Sequence, residues 1–189
     1  MALTLHPPPS HIQKLAKAAI ADMQNRGFVP RNYAREAEID LARPYPVYMS
    51  ALSSFRDGSF IQKATLVRWA FIILEDNQPA GTVEIAGDAV PEAIDAYTAK
   101  KAGHANALVR CIAAAEAFCS KDRSRYDVRI LRIPAIYFTA IWLHHPRHDH
   151  FFPTESSRLP GSVPYSPERL RQALDQRARL RAATDDSEK

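Results

Sequence analysis

The segment "KATLVRWAFIILEDNQPAGTVEIAG", Lys63 to Gly87, leaves this chain few ways to fold. Its first half is dense in β-branched and aromatic residues, its middle is turn chemistry, and its end resumes the β pattern. That order predicts an antiparallel hairpin turning around Asp76 to Ala80. In the first strand Val67, Trp69, Phe71 and Ile73 fall on one face, and Leu66, Arg68, Ala70, Ile72 and Leu74 on the other. In its second half the strand is nearly apolar on both faces, which suits an interior strand better than an edge one. The other long apolar run, Val128 to Leu143, is its expected neighbour.

Helices supply the cover. Ser10 and Gln13 match a capping box, and Ile12, Leu15, Ala16, Ala19, Ile20 and Met23 recur at helical spacing until Gly27 stops them. Pro91 opens a second helical pattern, with an interruption or a bend expected at Gly103. Its stripe is Leu108, Cys111, Ile112, Ala115 and Cys119. The alanines around it permit close approach to a sheet. A third helix starts at Ser166, a good N-cap, with Pro167 at the first helical position. Between the first helix and the hairpin, "ARPYPVYMSALSSF" reads as an extended crossing segment with a short helical turn near Met49 to Phe55. Tyr45 and Tyr48 in it are candidates for an interaction surface, with packing over the core edge as the alternative.

The stretch "YDVRILRIPAIYFTAIWLHH", Tyr126 to His145, is strand-forming but carries Pro134 in its middle. Proline cannot donate to a sheet ladder. No turn residues flank it, so the expectation is one long strand bent at a bulge. "HFFP" returns as a short antiparallel strand. These elements predict an α+β fold in a single domain, residues 1–189. A mainly antiparallel sheet of about four strands is covered by the N-terminal helix and the central Ala-rich helix, with a C-terminal helix beyond. Residues 1–9 and 184–189 are expected to be flexible ends.

The bulk properties exclude several classes. No apolar run approaches the length of a membrane span, and "MALTLHPPPS" has neither the charged nor the apolar region of a signal peptide. The expectation is a bacterial cytoplasmic protein. Cys111 and Cys119 lie eight positions apart on one helix, about 12 Å, too far for a disulfide, and read as buried thiols. The six glycines form no dinucleotide or phosphate loop, and no Gly-x-Ser-x-Gly elbow exists.

Charge is uneven. Met1 to Asp95 holds nine Lys/Arg against eleven Asp/Glu, and Ala96 to Lys189 sixteen against ten. The terminal helix concentrates Arg169, Arg171, Arg177, Arg179 and Arg181, which makes contact with nucleic-acid phosphates a reading to weigh. It lacks interleaved aromatics and follows no nucleic-acid motif, so a solvated face is preferred, with Arg177 and Arg181 as candidates for a partner surface. Arg129 and Arg132, in the long strand, are candidates for holding a carboxylate or phosphate. The alternative is ion pairing with Glu84 or Asp127.

The densest chemistry is "HHPRHDHFF", four histidines from His144 to His150. Pro146 suits a turn, which makes Pro146 to Asp149 a hairpin loop. His145 and His150 then face each other with Cβ atoms about 5 Å apart. His148 sits above them and His144 points to the opposite face. Three imidazoles at that tip are candidate ligands for zinc or another divalent ion. The spacing matches no established zinc motif, Asp149 is the only carboxylate in the stretch, and Arg147 repels a cation. Surface histidines without a cofactor, or a pH-sensitive patch, are the competing readings.

The Tyr126 to His145 stretch, followed by "FFP" and then "YSPERLRQAL", resembles a pattern in small uncharacterised bacterial α+β proteins. In it an arginine-and-leucine strand runs into a Pro-Ala-Leu/Ile-Tyr segment, before a late proline and a Tyr-Ser-initiated terminal helix. The resemblance covers roughly the last third of the chain. It implies a fold and brings no activity and no catalytic residue. The functional expectation is a non-enzymatic binding or interaction protein whose partner is another protein or a second copy. The alternatives are a small metal-dependent enzyme at His144 to His150 and a nucleic-acid-associated protein.

Overall fold

A computed structural model describes residues 3–25, 40–42, 44–88, 97–122, 124–154 and 159–187. In chain order the elements are β1 (Leu3–Thr4), α1 (Ser10–Asn25), β2 (Asp40–Leu41), β3 (Tyr45–Met49), α2 (Leu52–Asp57), β4 (Thr65–Glu75), β5 (Gln78–Ala86), β6 (Tyr97–Lys101) and α3 (Ala102–Cys119). They are followed by β7 (Tyr126–Ile133), a 3₁₀ turn (Pro134–Ile136), β8 (Phe138–His144), β9 (His150–Pro153) and α4 (Pro167–Ser187). The protein is α+β, and it forms two compact units.

One unit comprises Leu5–Pro46 and Val67–Val109. Its centre is the predicted hairpin. Asp76 and Asn77 both take positive φ, 49° and 61°, between the paired ends Glu75 and Gln78. This is the two-residue turn whose twist matches that of the strands. A register shift between Ile73 and Leu74 accommodates Pro79. Trp69, Phe71 and Ile73 join Val83 and Ile85 on the face that α1 covers with Ile12, Leu15, Ala16, Ala19, Ile20 and Met23. The periodicity of α1 is that of its buried stripe. Here β4 pairs with β2 and β5, both antiparallel. The sequence pattern sets Trp69–Leu74 beside Val128–Leu143; in the structure Trp69–Leu74 pairs with β5, and Val128–Ile133 pairs with Phe138–Leu143. The helix expected from Pro91 starts only at Ala102. Residues 97–101 are strand β6, paired with β5, and 89–96 lie outside the described residues. Gly103 stands in the first turn of α3, directly after the end of β6, which interrupts the expected helical pattern.

The other unit comprises Met1–Thr4, Val47–Leu66 and Arg110–Lys189. Its sheet is mixed, which corrects the expectation of an antiparallel one of about four strands. Val47, Tyr48 and Met49 of β3 run parallel to β7 beside Ile130, Leu131 and Arg132. Leu3 and Thr4, expected in a flexible end, also run parallel to β7 beside Tyr126 and Asp127. The ladder continues antiparallel through β8 and β9. The long bent strand expected through Pro134 is instead two strands joined by a tight corner. Pro134 opens a 3₁₀ turn, and Tyr137 closes it in the left-handed region with φ 50°. Turn residues were absent because an exposed tyrosine performs the work usually given to glycine or asparagine.

Alternation along β7 sorts the two faces of this sheet. Leu131 and Ile133, with Phe138, Ala140, Trp142 and Phe151, build a core with Phe55 and Phe60 and with Leu170, Leu174 and Ala178 of α4. Ser166 caps α4 as its sequence predicts, its Oγ accepting from the Arg169 N–H. The 184–187 stretch, expected to fray, continues this helix. On the opposite face Phe118 of α3 lies against Tyr126, His150 and Phe152. Cys111 and Cys119 are buried and unbridged, and burial, aided by Asp122 and Glu116, pushes the Cys119 thiol up to about 11.

Candidate functional site

The open end of the β7–β8–β9 sheet carries a polar cluster on each face. The β8–β9 register sets what each contains. His150 pairs with Leu143, and Phe151 with Trp142. The expected pairing of His145 with His150 is displaced by two positions, which leaves every side chain on its expected face but moves it one pair inward. The gain is that Phe151 stacks on Trp142, centroids 6.0 Å apart, inside the core rather than beside His144. The hairpin loop accordingly runs from His145 to Asp149.

On the α3 face the three rings singled out from the sequence do assemble, although His145 belongs to the loop. His145 and His148 stack with centroids 4.1 Å apart, and His148 and His150 meet edge to face at 5.6 Å. Tyr126 contacts all three. The Tyr126 hydroxyl donates to Asp122 Oδ2 at 2.8 Å and lies 2.8 Å from His148 Nε2. Hydrogen bonds from Ser124 and Tyr126 hold the Asp122 carboxyl at about 2, so at neutral pH it has no proton to give. The single phenolic proton is therefore committed to Asp122, and His148 Nε2 must be the donor to the phenol oxygen. Burial, then the Asp122 hydrogen bond and charge, push the Tyr126 hydroxyl well above the usual phenol range. His150 is lowered from its ordinary value, first by burial and then by His148.

These bonds decide what the cluster offers a metal. A ligating imidazole places the ion in its ring plane on a free nitrogen lone pair. His148 Nε2 is engaged by Tyr126, and His145 Nδ1 accepts the Arg147 N–H. The planes of those two rings lie only 30° apart in a stack. Among the described residues no group of three His, Cys, Asp or Glu is placed to hold a metal ion.

The opposite face was less visible in the sequence. Asp149 turns inward, and its Oδ1 accepts from Trp142 Nε1 at 2.7 Å and from His144 Nδ1 at 2.8 Å. His144 thus points away from the other three histidines, as alternation predicts. Beside it Arg129 occupies a corner between two rings set at 80° to each other. Its Cζ lies 4.8 Å from the Tyr48 centroid and 4.8 Å from that of Trp142. Asp127 Oδ2 accepts from the guanidinium at 3.4 Å, the ion pair anticipated from the sequence. In the ladder Arg129 stands opposite Trp142, and Asp127 opposite His144, so the four form a two-by-two patch on one face.

The remaining sequence candidates lie elsewhere. Tyr45 is buried. Arg132, on the α3 side of β7, is buried to 9 % exposure and joins no cluster with Arg129, because alternate parity separates them. Arg177 donates to the Ile136 carbonyl and helps fix the Tyr137 corner. Arg181 belongs to α4, and its side chain lies outside the described residues. Trp142, Tyr126 and Asp122 were missed. Trp142 had a signal, since a tryptophan two residues before His144 must share its face. Asp122 had none, because its partners reach it across a turn.

Comparison with protein-family models finds no matching family, and neither curated proteins nor solved structures give a match. The function has to be argued from the two clusters.

Proposed function

We propose that this is a non-enzymatic binding protein of a bacterial cytoplasm, and that it engages its ligand or protein partner at the corner formed by Tyr48, Arg129, Trp142 and His144. The observation that carries this reading is the Arg129 guanidinium set in the corner of two aromatic rings at the open end of a sheet, with 18 % of its side chain exposed. Ring faces stabilise the cation without consuming its N–H donors. Of the five donors the structure assigns one, at a long 3.4 Å, to Asp127. Arginine and tryptophan in a partly desolvated pocket are the residues that concentrate binding energy. Tyr48 brings the aromatic segment of the sequence into the same place.

Two other readings have less behind them. A metal-dependent enzyme at His145, His148 and His150 lacks convergent nitrogens. A nucleic-acid role for α4 draws on arginines already occupied in the fold: Arg169 lies over Tyr165, Arg177 bonds Ile136, and Arg179 pairs with Asp175. No described helix is long and apolar enough to cross a membrane.

The test uses the two indole N–H signals of a ¹H–¹⁵N spectrum, since the chain has two tryptophans. The protein is titrated with carboxylates, inorganic phosphate, quaternary amines, sugars and short peptides. Saturable movement of the Trp142 indole, with the Trp69 indole still, is the expected result. If nothing in that panel moves Trp142, the reading is wrong.

A further inference from the structure

From the hydrogen bonds of His144 we infer that the Arg129 corner binds an oxyanion, a carboxylate or phosphate group, and takes up a proton on His144 as it does so. The inference rests on the binding reading above and adds the ligand's chemistry and its coupling to pH.

The argument begins with donors. Arg129 Cζ lies over two rings that stand at 80° to each other, so at most one ring can stack on the guanidinium plane, and N–H edges remain for a ligand. Guanidinium edges present N–H groups in a fork that matches the two oxygens of a carboxylate or phosphate. A cation is repelled there, and a neutral ligand leaves the fork poorly used.

The second donor is His144. Asp149 Oδ1 already accepts the Trp142 N–H and has no proton to offer, so His144 Nδ1 must carry the hydrogen of that bond. This fixes the tautomer. In the neutral ring Nε2 then holds a lone pair, which repels an oxyanion; in the imidazolium it holds an N–H, which attracts one. The group that an anion needs exists only after a proton has been taken up. Imidazole is the side chain that makes this change between pH 5 and 8.

The surrounding charges act in the same direction. The groups around this ring are Asp149 in the hairpin loop and, on β7, Asp127 opposite His144 with Arg129 diagonal to it. Tyr48 of β3 is a further titratable neighbour of the guanidinium. Protonation of His144 adds a positive charge and an N–H donor on the same face as the guanidinium, and both favour an oxyanion. By linkage, whatever favours the anion favours the proton equally.

The experiment is calorimetric titration of the full chain with benzoate and, separately, with inorganic phosphate. Each is run at pH 8 in two buffers of different ionisation heat, and again at pH 6. The expected result is binding of at least one oxyanion, up to one proton taken up per ligand at pH 8, and affinity at least threefold higher at pH 6. The two ligands show which oxyanion geometry the corner prefers. His144→Gln offers an amide donor with no titration, so it should bind with no proton uptake and a flat pH profile. Arg129→Met should lose binding. If it fails to fold, the His144→Gln profile decides alone. Proton uptake that persists in His144→Gln, or oxyanion binding with none in the wild type, overturns the inference. If only amines, sugars or uncharged peptides move the Trp142 indole, the oxyanion inference fails while the binding site stands. If nothing moves it, both fail.

Discussion

His144 and His148 lie four residues apart in one hairpin, on opposite faces of it, and each is held by a carboxylate. The hold differs. Asp149 grips His144 directly, with 12 % of the Asp149 side chain and 27 % of the His144 side chain exposed. Asp122 reaches His148 only through the Tyr126 hydroxyl, and His148 is exposed. The outcome is two imidazoles fixed in opposite tautomers, Nδ1–H in His144 and Nε2–H in His148. Histidine density alone says nothing about chemistry: the partner of each ring, and the burial of that partner, decide which nitrogen is left over.

The comparison breaks most visibly at Trp142, which is buried to 1 % exposure and anchors the Arg129 side. Trp142→Ala should cost about 3–5 kcal/mol in denaturant melts. A loss under about 1 kcal/mol means the Arg129 face is not the rigid one. Next comes Asp149→Asn, expected to cost about 1.5–3 kcal/mol, because a partly buried charged acceptor of two N–H groups is replaced by a neutral one. Asp122→Asn should cost less in the same melts, since the ring it serves, His148, is exposed and is reached only through the Tyr126 hydroxyl. The reverse order abolishes the distinction drawn between the faces.

Acid sharpens it further. His150 is lowered by burial, so the unfolded chain binds more protons than the folded one just below the ordinary histidine value. The stability it contributes is complete above about pH 6.5. It is lost as pH falls from there through the folded value. His150→Phe should flatten that part of a stability-versus-pH curve while leaving the Asp122 part intact. Asp122 goes from 3.8 to about 2, so its contribution is present above the first value and lost as pH falls through the second. A His150→Phe protein with an unchanged profile near pH 6 rules out the buried-imidazole account. The smallest expected effect is Tyr126→Phe, about 1 kcal/mol. Its signature is spectroscopic: ¹⁵N shifts should show His148 freed to mix tautomers and His144 still pure Nδ1–H. If both rings respond, the faces are not independent.

Much of this was legible before the structure. Periodicity placed α1, turn chemistry placed the β4–β5 hairpin, and Ser166–Pro167 placed the start of α4. Alternation separated His144 from its neighbours. What was not legible has physical causes. Two β8–β9 registers that differ by two positions keep the same residues on the same faces, so parity cannot choose between them. The choice came from Phe151 stacking on Trp142. The corner at Pro134 was hidden because Tyr137 adopts a conformation its identity does not advertise. β6 was read as helix because Pro91 opens a helical pattern ahead of it, and its ladder with β5 overrode that reading.

The parallel pairing of β3 with β7 has a temporal consequence. Val47 pairs across to Ile130, and Leu3 to Tyr126. The β4–β5 hairpin, by contrast, closes over a turn of two residues. On the ribosome the hairpin can zip as it emerges, whereas Tyr48 must wait for most of the chain to be synthesised before it meets Arg129. The corner read here as the binding site is therefore assembled late, after every strand that precedes β7 has left the ribosome.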